Sequence, residues 1–323
     1  MLAATLVLIG AVAGAAPPDT LEIQEWAVPW ENTRPRDPTV AADGKIWFVG
    51  QVGNYIGIFD PQSGEFEKID LPPRVLPHNI VAGPDGALWY AGNAAGHIGR
   101  IDPQSREIKI FEMPDPAARD PHTLVFSSTG DLWFTVQGGN FIGRLDPESG
   151  DVKLVPMSVG GARPYGIVVD ENNRPWAALL GTNRIASVNP ETMELEEHML
   201  PEDARPRRLV RTDDGMIWYG DTRRGTLGRL DPTTGEIKEY PLPSGKEAGA
   251  YAMALDGQGR IWVAETGVQP NRLVGFDPKT ESFFGITPVP SGGGAVRNMV
   301  YHAPTNSIWF GTDTNNIGRA VVH

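Results

Sequence analysis

Seven positions spread along the 323-residue chain carry side chains that could bind or act on a polar ligand. Eleven residues before each of six tryptophans, and twelve before a seventh, stand Arg36, His78, His122, Tyr165, Arg207, Tyr251 and Arg297. All can hydrogen-bond, and most can carry positive charge. A slot that served packing alone would hold similar apolar residues. Guanidinium forks suit carboxylates and other anions, and imidazole can exchange protons near neutral pH. The set therefore reads as a site for a small anionic or polar ligand. Arg36, Arg207 and Arg297 would hold negative charge, Tyr165 would line the same site, and His78 and His122 are candidate bases. The alternative for both histidines is a plain polar lining.

A second slot lies three residues after each tryptophan: Gly50, Gly92, Val136, Leu179, Asp221, Glu265 and Thr312, with Asp313 next. Counted from the turn at Asp85, residues 78 and 92 are equidistant, which predicts that both slots open at one face. Asp221 and Glu265, with Asp313 nearby, are candidate ligands for Mg²⁺ or Ca²⁺. A salt bridge from Arg207 to Asp221 would satisfy that carboxylate without metal and is the favoured arrangement. The preceding loops add Arg34, Arg74, Arg119, Arg163, Arg205 and Arg208. These arginines could equally pair with Glu31, Asp37, Asp120 and Asp203, leaving a self-neutralised rim.

The elements that must position these slots repeat. The tryptophans are Trp47, Trp89, Trp133, Trp176, Trp218, Trp262 and Trp309, at steps of 42 to 47 residues. That is the length of one four-stranded propeller blade. Each unit holds a short apolar strand ("HNIVAG"), an Asp-Gly-type turn, a tryptophan strand ("ALWYAG"), a third strand ("HIGRID") and an outer strand ("EIKEYPLP"). Asp-Pro…Gly segments such as "DPTTG" have type I turn chemistry. The seventh unit ends at His323 without an outer strand, whereas "EIQEWAVP" stands alone at residues 22–29. The expectation is an all-β, seven-bladed β-propeller of four-stranded blades, closed by the N-terminal strand joining the last blade. Closure removes open edges. The ring would form a single domain over residues 21–322, with no linker and as a monomer. The tryptophans then pack between blades, and the first slot rings the mouth of the central channel.

Composition narrows the function. A net charge of -12 argues against nucleic-acid binding, which needs a broad basic surface. The absence of cysteine removes disulfides, thiolate metal sites and Cys nucleophiles. No HExxH, Walker A, GxSxG or EF-hand pattern occurs. Residues 1–16 contain "LAATLVLIGAVAGAA", an apolar run ending in small residues, which reads as a signal peptide. It is short for a membrane span, so a periplasmic or secreted protein with no stable membrane span is expected. No Lys or Arg precedes the run.

"PHNIVAGPDGALWY…HIGRID" and "PYGIVVDENNRPW" resemble the repeats of the streptogramin lyases, the virginiamycin B lyase family. The resemblance covers about residues 21–322 and implies the same propeller. It also implies a carbon–oxygen lyase that opens a cyclic ester by elimination, with a channel-mouth histidine as base and glutamates holding Mg²⁺. In the last blade, Arg297 falls at the slot of the family's catalytic histidine, and Tyr251 falls at the other histidine slot. Ala295 replaces one metal-linked glutamate, Asp313 falls near the other, and Arg36 stands at the family's first-blade tyrosine slot. Rotating the ring matches His78 and His122 to the histidine pair, but then Val136 stands where the acid belongs. An arginine cannot accept a proton near neutral pH. The resemblance thus carries the fold over more firmly than the streptogramin-opening reaction. A non-catalytic ligand- or protein-binding propeller is the alternative. A metal-dependent lactonase-type propeller is disfavoured by the shortage of channel carboxylates.

Overall fold

A computed structural model describes residues 20–323; the expected signal peptide, residues 1–16, lies outside them. Seven four-stranded antiparallel sheets follow one another round a ring. In six, the strands run in chain order from the axis outward. Blade one, for example, comprises Pro35–Val40, Ile46–Gly50, Tyr55–Phe59 and Phe66–Asp70. The seventh contains Val296–His302, Ser307–Thr312 and Asn316–Val321, and its outer strand is Glu22–Ala27 from the other end of the chain. Glu22 pairs with Val321 and Ala27 with Asn316, as the missing-strand count requires.

The core is a set of inter-blade layers. All seven repeat tryptophans are buried. Trp47 packs with Leu88 and Tyr90 of blade two, Trp133 with Ala177 and Leu179 of blade four, and Trp262 with Phe310 of blade seven. Trp309 meets Ile46, Phe48 and Phe59 of blade one, which closes the circle. A buried indole contributes on the order of 4–6 kcal/mol at ~25 cal/mol/Å². The third strands of four units carry an arginine after Gly (Arg100, Arg144, Arg229 and Arg319), and Arg144 reaches the Pro190 carbonyl of the next blade at 2.8 Å. Arg100 instead stays on Asp85 and over Trp89 within its own blade.

Six of the seven innermost strands carry a register shift at the same place. In blade three, Pro121 pairs with Val136, but Leu124 pairs with Phe134. One extra residue sits between them, a β-bulge. The same shift occurs between Arg36 and Thr39, Pro164 and Ile167, Pro206 and Leu209, Ala250 and Met253, and Val296 and Met299. In blade two, the His78 amide donates to the Ala91 carbonyl, the same offset. The bulge lies immediately after the first slot and decides what reaches the axis.

Candidate functional site

The bulge separates the two slots. Equal counting from the turn pairs residue 78 with 92. The inserted residue moves that partner to 91 and sets Pro121, not His122, opposite Val136. Directly opposed residues share a sheet face, and successive residues alternate. The second slot therefore faces away from the first, toward a neighbouring blade. Asp221 accepts backbone N–H groups of Arg205, Arg223 and Arg224 at 2.9–3.1 Å. Its burial holds the carboxyl above the usual range despite those bonds. Glu265 accepts from Ser244 and from Arg272, at 2.7 Å for the latter. Both carboxylates are fully buried loop anchors. The expected Arg207–Asp221 bridge does not form; Arg224 approaches Asp221 instead, at 4.0 Å.

The first slot converges on the axis. The His78 and His122 rings lie 3.5 Å apart between centroids, and His122 lies 4.1 Å from Tyr165. Tyr165 and Tyr251 share a short hydroxyl–hydroxyl hydrogen bond across the channel. The Arg207 guanidinium covers the Tyr251 face at 4.0 Å and Tyr165 at 5.2 Å. Arg297 reaches the Tyr251 hydroxyl at 3.5 Å and pairs with Asp313 at 3.0 Å. Arg36 donates to Asp37 at 2.9 Å and to Gln51 at 3.2 Å. Six slot residues are thus in one connected cluster, Arg36 joins it through Asp37 and the Arg208 guanidinium over Tyr165, and Asp313 joins it through Arg297.

The bulge also turns the next residue of each inner strand toward the axis, a ring that the repeat pattern does not announce. Asp37, Asn79, Thr123 and Arg208 are buried there. Arg208 donates to Asp37 at 3.0 Å, to Thr123 at 3.1 Å and to the Arg297 carbonyl at 3.2 Å. Asn79 donates to the same Asp37 carboxylate at 3.0 Å. Arg208 is therefore a buried channel residue, not a loop cation. The available signal was its position directly after the varying slot.

Electrostatics follow from burial beside excess positive charge. His78 is held well below the ordinary imidazole range by desolvation, with Arg36 and Arg208 adding to it. His122 is lowered likewise by desolvation, then by His78 and Arg208. Both are neutral at pH 7. Burial pushes the Tyr251 phenol up, but Arg36, Arg207 and Arg208 outweigh it and bring the group down to about 8. Burial also opposes ionisation of Asp37, yet Arg36 and Arg208 keep its carboxyl below the usual range. Within this cluster, three buried side-chain nitrogens have no hydrogen-bond partner among the described residues: Arg36 Nη2, Arg207 Nε and His78 Nδ1.

A Mg²⁺ site does not fit this arrangement. Asp221 and Glu265 are committed to backbone, Ser244 and Arg272, and Asp313 is committed to Arg297. No group of three His, Cys, Asp or Glu side chains able to share an ion occurs among the described residues. A divalent ion needs several converging oxygens.

Fold and site together define a seven-bladed propeller with a cationic, aromatic channel mouth. The sequence model of the Virginiamycin B lyase family matches residues 18–188 and 150–323, and the chain belongs to that family. A search of curated proteins gives no match. Among solved structures, virginiamycin B lyase from Staphylococcus aureus is 24% identical, with TM-score 0.85, covering 94% of this chain and 100% of that one. A catalytically inactive histidine-to-alanine variant of that lyase, with quinupristin, is 23% identical, with TM-score 0.85, over 94% and 100%. An extracellular domain of a two-component system from B. thetaiotaomicron is 18% identical, with TM-score 0.72, over 94% of this chain and 43% of that one. At these identities the likeness is one of fold.

Proposed function

We propose that this chain is an exported lyase-like propeller that captures a small anionic cyclic ester at the channel mouth and opens it by carbon–oxygen elimination. The observation that carries the proposal is the convergence of unpartnered nitrogens, on Arg36, Arg207 and His78, around the hydrogen-bonded Tyr165–Tyr251 pair. Arg36, Arg207 and Arg297 receive the negative charge. Arg297 cannot replace a histidine base, but Tyr251 can act as one: its phenol at about 8 gives a useful phenolate fraction near neutral pH. The phenolate takes a proton from the carbon next to the ester-bearing carbon. The C–H pair forms a C=C bond, the C–O pair departs with the carboxylate, and an arginine holds that carboxylate. Tyr251 is only 2% exposed beneath Arg207, so the guanidinium must swing aside for substrate to reach it.

Capture without catalysis is the second reading, favoured by that same cover over Tyr251. Incubation with streptogramin B and simpler cyclic esters, followed by mass analysis, separates the two. Elimination within a ring leaves the mass unchanged, whereas hydrolysis adds one water. Turnover lost in Tyr251→Phe supports the lyase. Binding of small carboxylates with no turnover supports capture alone, and absence of both overturns the proposal. Export rests on the apolar leader and on the extracellular relative; cell fractionation tests it.

A further inference from the structure

The Arg36–Asp37–Arg208 network lies across the channel and divides it. Beyond that network from the mouth, the channel continues as a cavity of about 370 Å³. A water-filled tube would be expected to carry polar walls, and this one is mainly apolar. At the third residue after the slot the inner strands present Val81, Val125, Val168, Val210 and Val300, with Leu255 and Tyr301 one step further. Met253 and Met299, at the second residue after the slot, complete the wall near the network.

Polar groups cluster at the end next to the network, Arg208, Asn79, Thr123 and Asn298, while further along the Thr39 hydroxyl accepts from the Ala82 amide and the Tyr301 hydroxyl donates to Asn306. Arg208 uses three N–H groups on Asp37, Thr123 and the Arg297 carbonyl, leaving two of its five. Asn79 accepts from the Leu124 amide and donates once to Asp37, leaving one N–H. The Asn298 side chain makes no hydrogen bond among the described residues, whereas each neighbouring polar group does. The floor therefore offers donors. It also carries excess positive charge, since two buried guanidiniums, Arg36 and Arg208, share the single Asp37 carboxylate. A buried cation without a full counter-charge favours an anion beside it.

We propose that this inner cavity is a second ligand site, for a small amphipathic carboxylate whose apolar tail lies along the valine wall and whose head meets Arg208, Asn79 and Asn298. Its volume falls at the lower end of small-molecule pockets, about 300–1,000 Å³. The site shares the network's charge with the mouth but opens on its other side, and none of its wall residues belongs to the varying slot.

The probes are octanoate, octanol and acetate, titrated calorimetrically into the purified protein. Octanoate should bind. Octanol, lacking the charged head, and acetate, lacking the tail, should each bind at least tenfold more weakly. Val168→Trp, which fills the cavity, should weaken octanoate at least tenfold with circular dichroism unchanged, and Arg297→Ala at the mouth should not. The ε-methyl resonances of Met253 and Met299 give a readout in the unmodified protein and should shift on saturation with octanoate. The proposal is overturned if octanoate fails to bind, if the methionine methyls do not move, or if Arg297→Ala removes binding.

Discussion

At the residue scale, the His78 and His122 rings lie against each other at a 38° tilt with both imidazoles neutral, a consequence of burial beside Arg36 and Arg208. Their lowered folded pKa values have a thermodynamic sign. Above about pH 6.5 both folded and unfolded chains hold neutral imidazoles and nothing is lost. Below it the unfolded chain takes up protons that the folded chain refuses, so stability falls as pH falls. Each histidine contributes at most about 1.4 kcal/mol per pH unit in this window. Denaturant melts between about pH 7 and the carboxylate range near 4 should show that decline, and His122→Gln should remove some of it. A wild-type melt independent of pH across this window would show that the imidazoles titrate normally. The varying slot itself was legible: seven polar residues in a frame of apolar strands stand out from the packing pattern. The inner ring of Asp37, Asn79, Thr123 and Arg208 was not, because those residues reach the axis only through the bulge.

At the element scale, the bulge changes which side chains share a face, and it brings backbones close. Gly166 follows Tyr165 in blade four. A Cβ there would lie 2.6 Å from the Arg207 carbonyl oxygen and 2.8 Å from the Arg208 Cα of blade five. Those are backbone atoms and cannot turn aside, so Gly166→Ala must push the inner strands of these neighbouring blades away from each other. Overpacking of this kind costs about 1–3 kcal/mol, and the same displacement moves Arg207 off Tyr251. The expected outcome is a lower melting temperature together with a Tyr251 phenol that titrates higher than about 8 by ultraviolet absorbance. An unchanged titration would show that the strands accommodate the methyl without moving the arginine. The pairing of Asp221 with Arg207 failed for the same reason of register. A strand's side chains alternate with a period of two, so one inserted residue sends the second slot toward a neighbouring blade.

At the scale of the whole molecule, the first and last described strands lie in one blade. Strand Glu22–Ala27 covers the edge of strand Asn316–Val321, Trp26 stacks on Trp309 at 5.8 Å, and Arg319 lies over Trp26. Removing residues through Ala27 leaves that edge unpaired, the arrangement that invites association with other chains. The truncated protein should lose its sharp thermal transition and elute as larger species in gel filtration. A monomeric truncation melting like the full chain would show that the ring holds without its closing strand. The division of the channel into a cationic mouth and an apolar inner cavity also belongs to this scale. It depends on Arg36, Asp37 and Arg208 from blades one and five meeting at the axis, 171 residues apart for the Asp37–Arg208 pair.

The repeat by itself determined the blade count, the four-strand unit, the inter-blade tryptophans and the closing N-terminal strand. Each is written in local periodicity, turn chemistry and one missing strand. It also placed Arg36, His78, His122, Tyr165, Arg207, Tyr251 and Arg297 round one axis. Only the tertiary structure decided which charges meet there. Asp37 rather than Asp221 pairs with channel arginines, Arg36 and Arg208, since a single bulged residue reverses a strand's facing and the curvature of the ring brings distant blades together. Neither effect leaves a periodic trace in the chain.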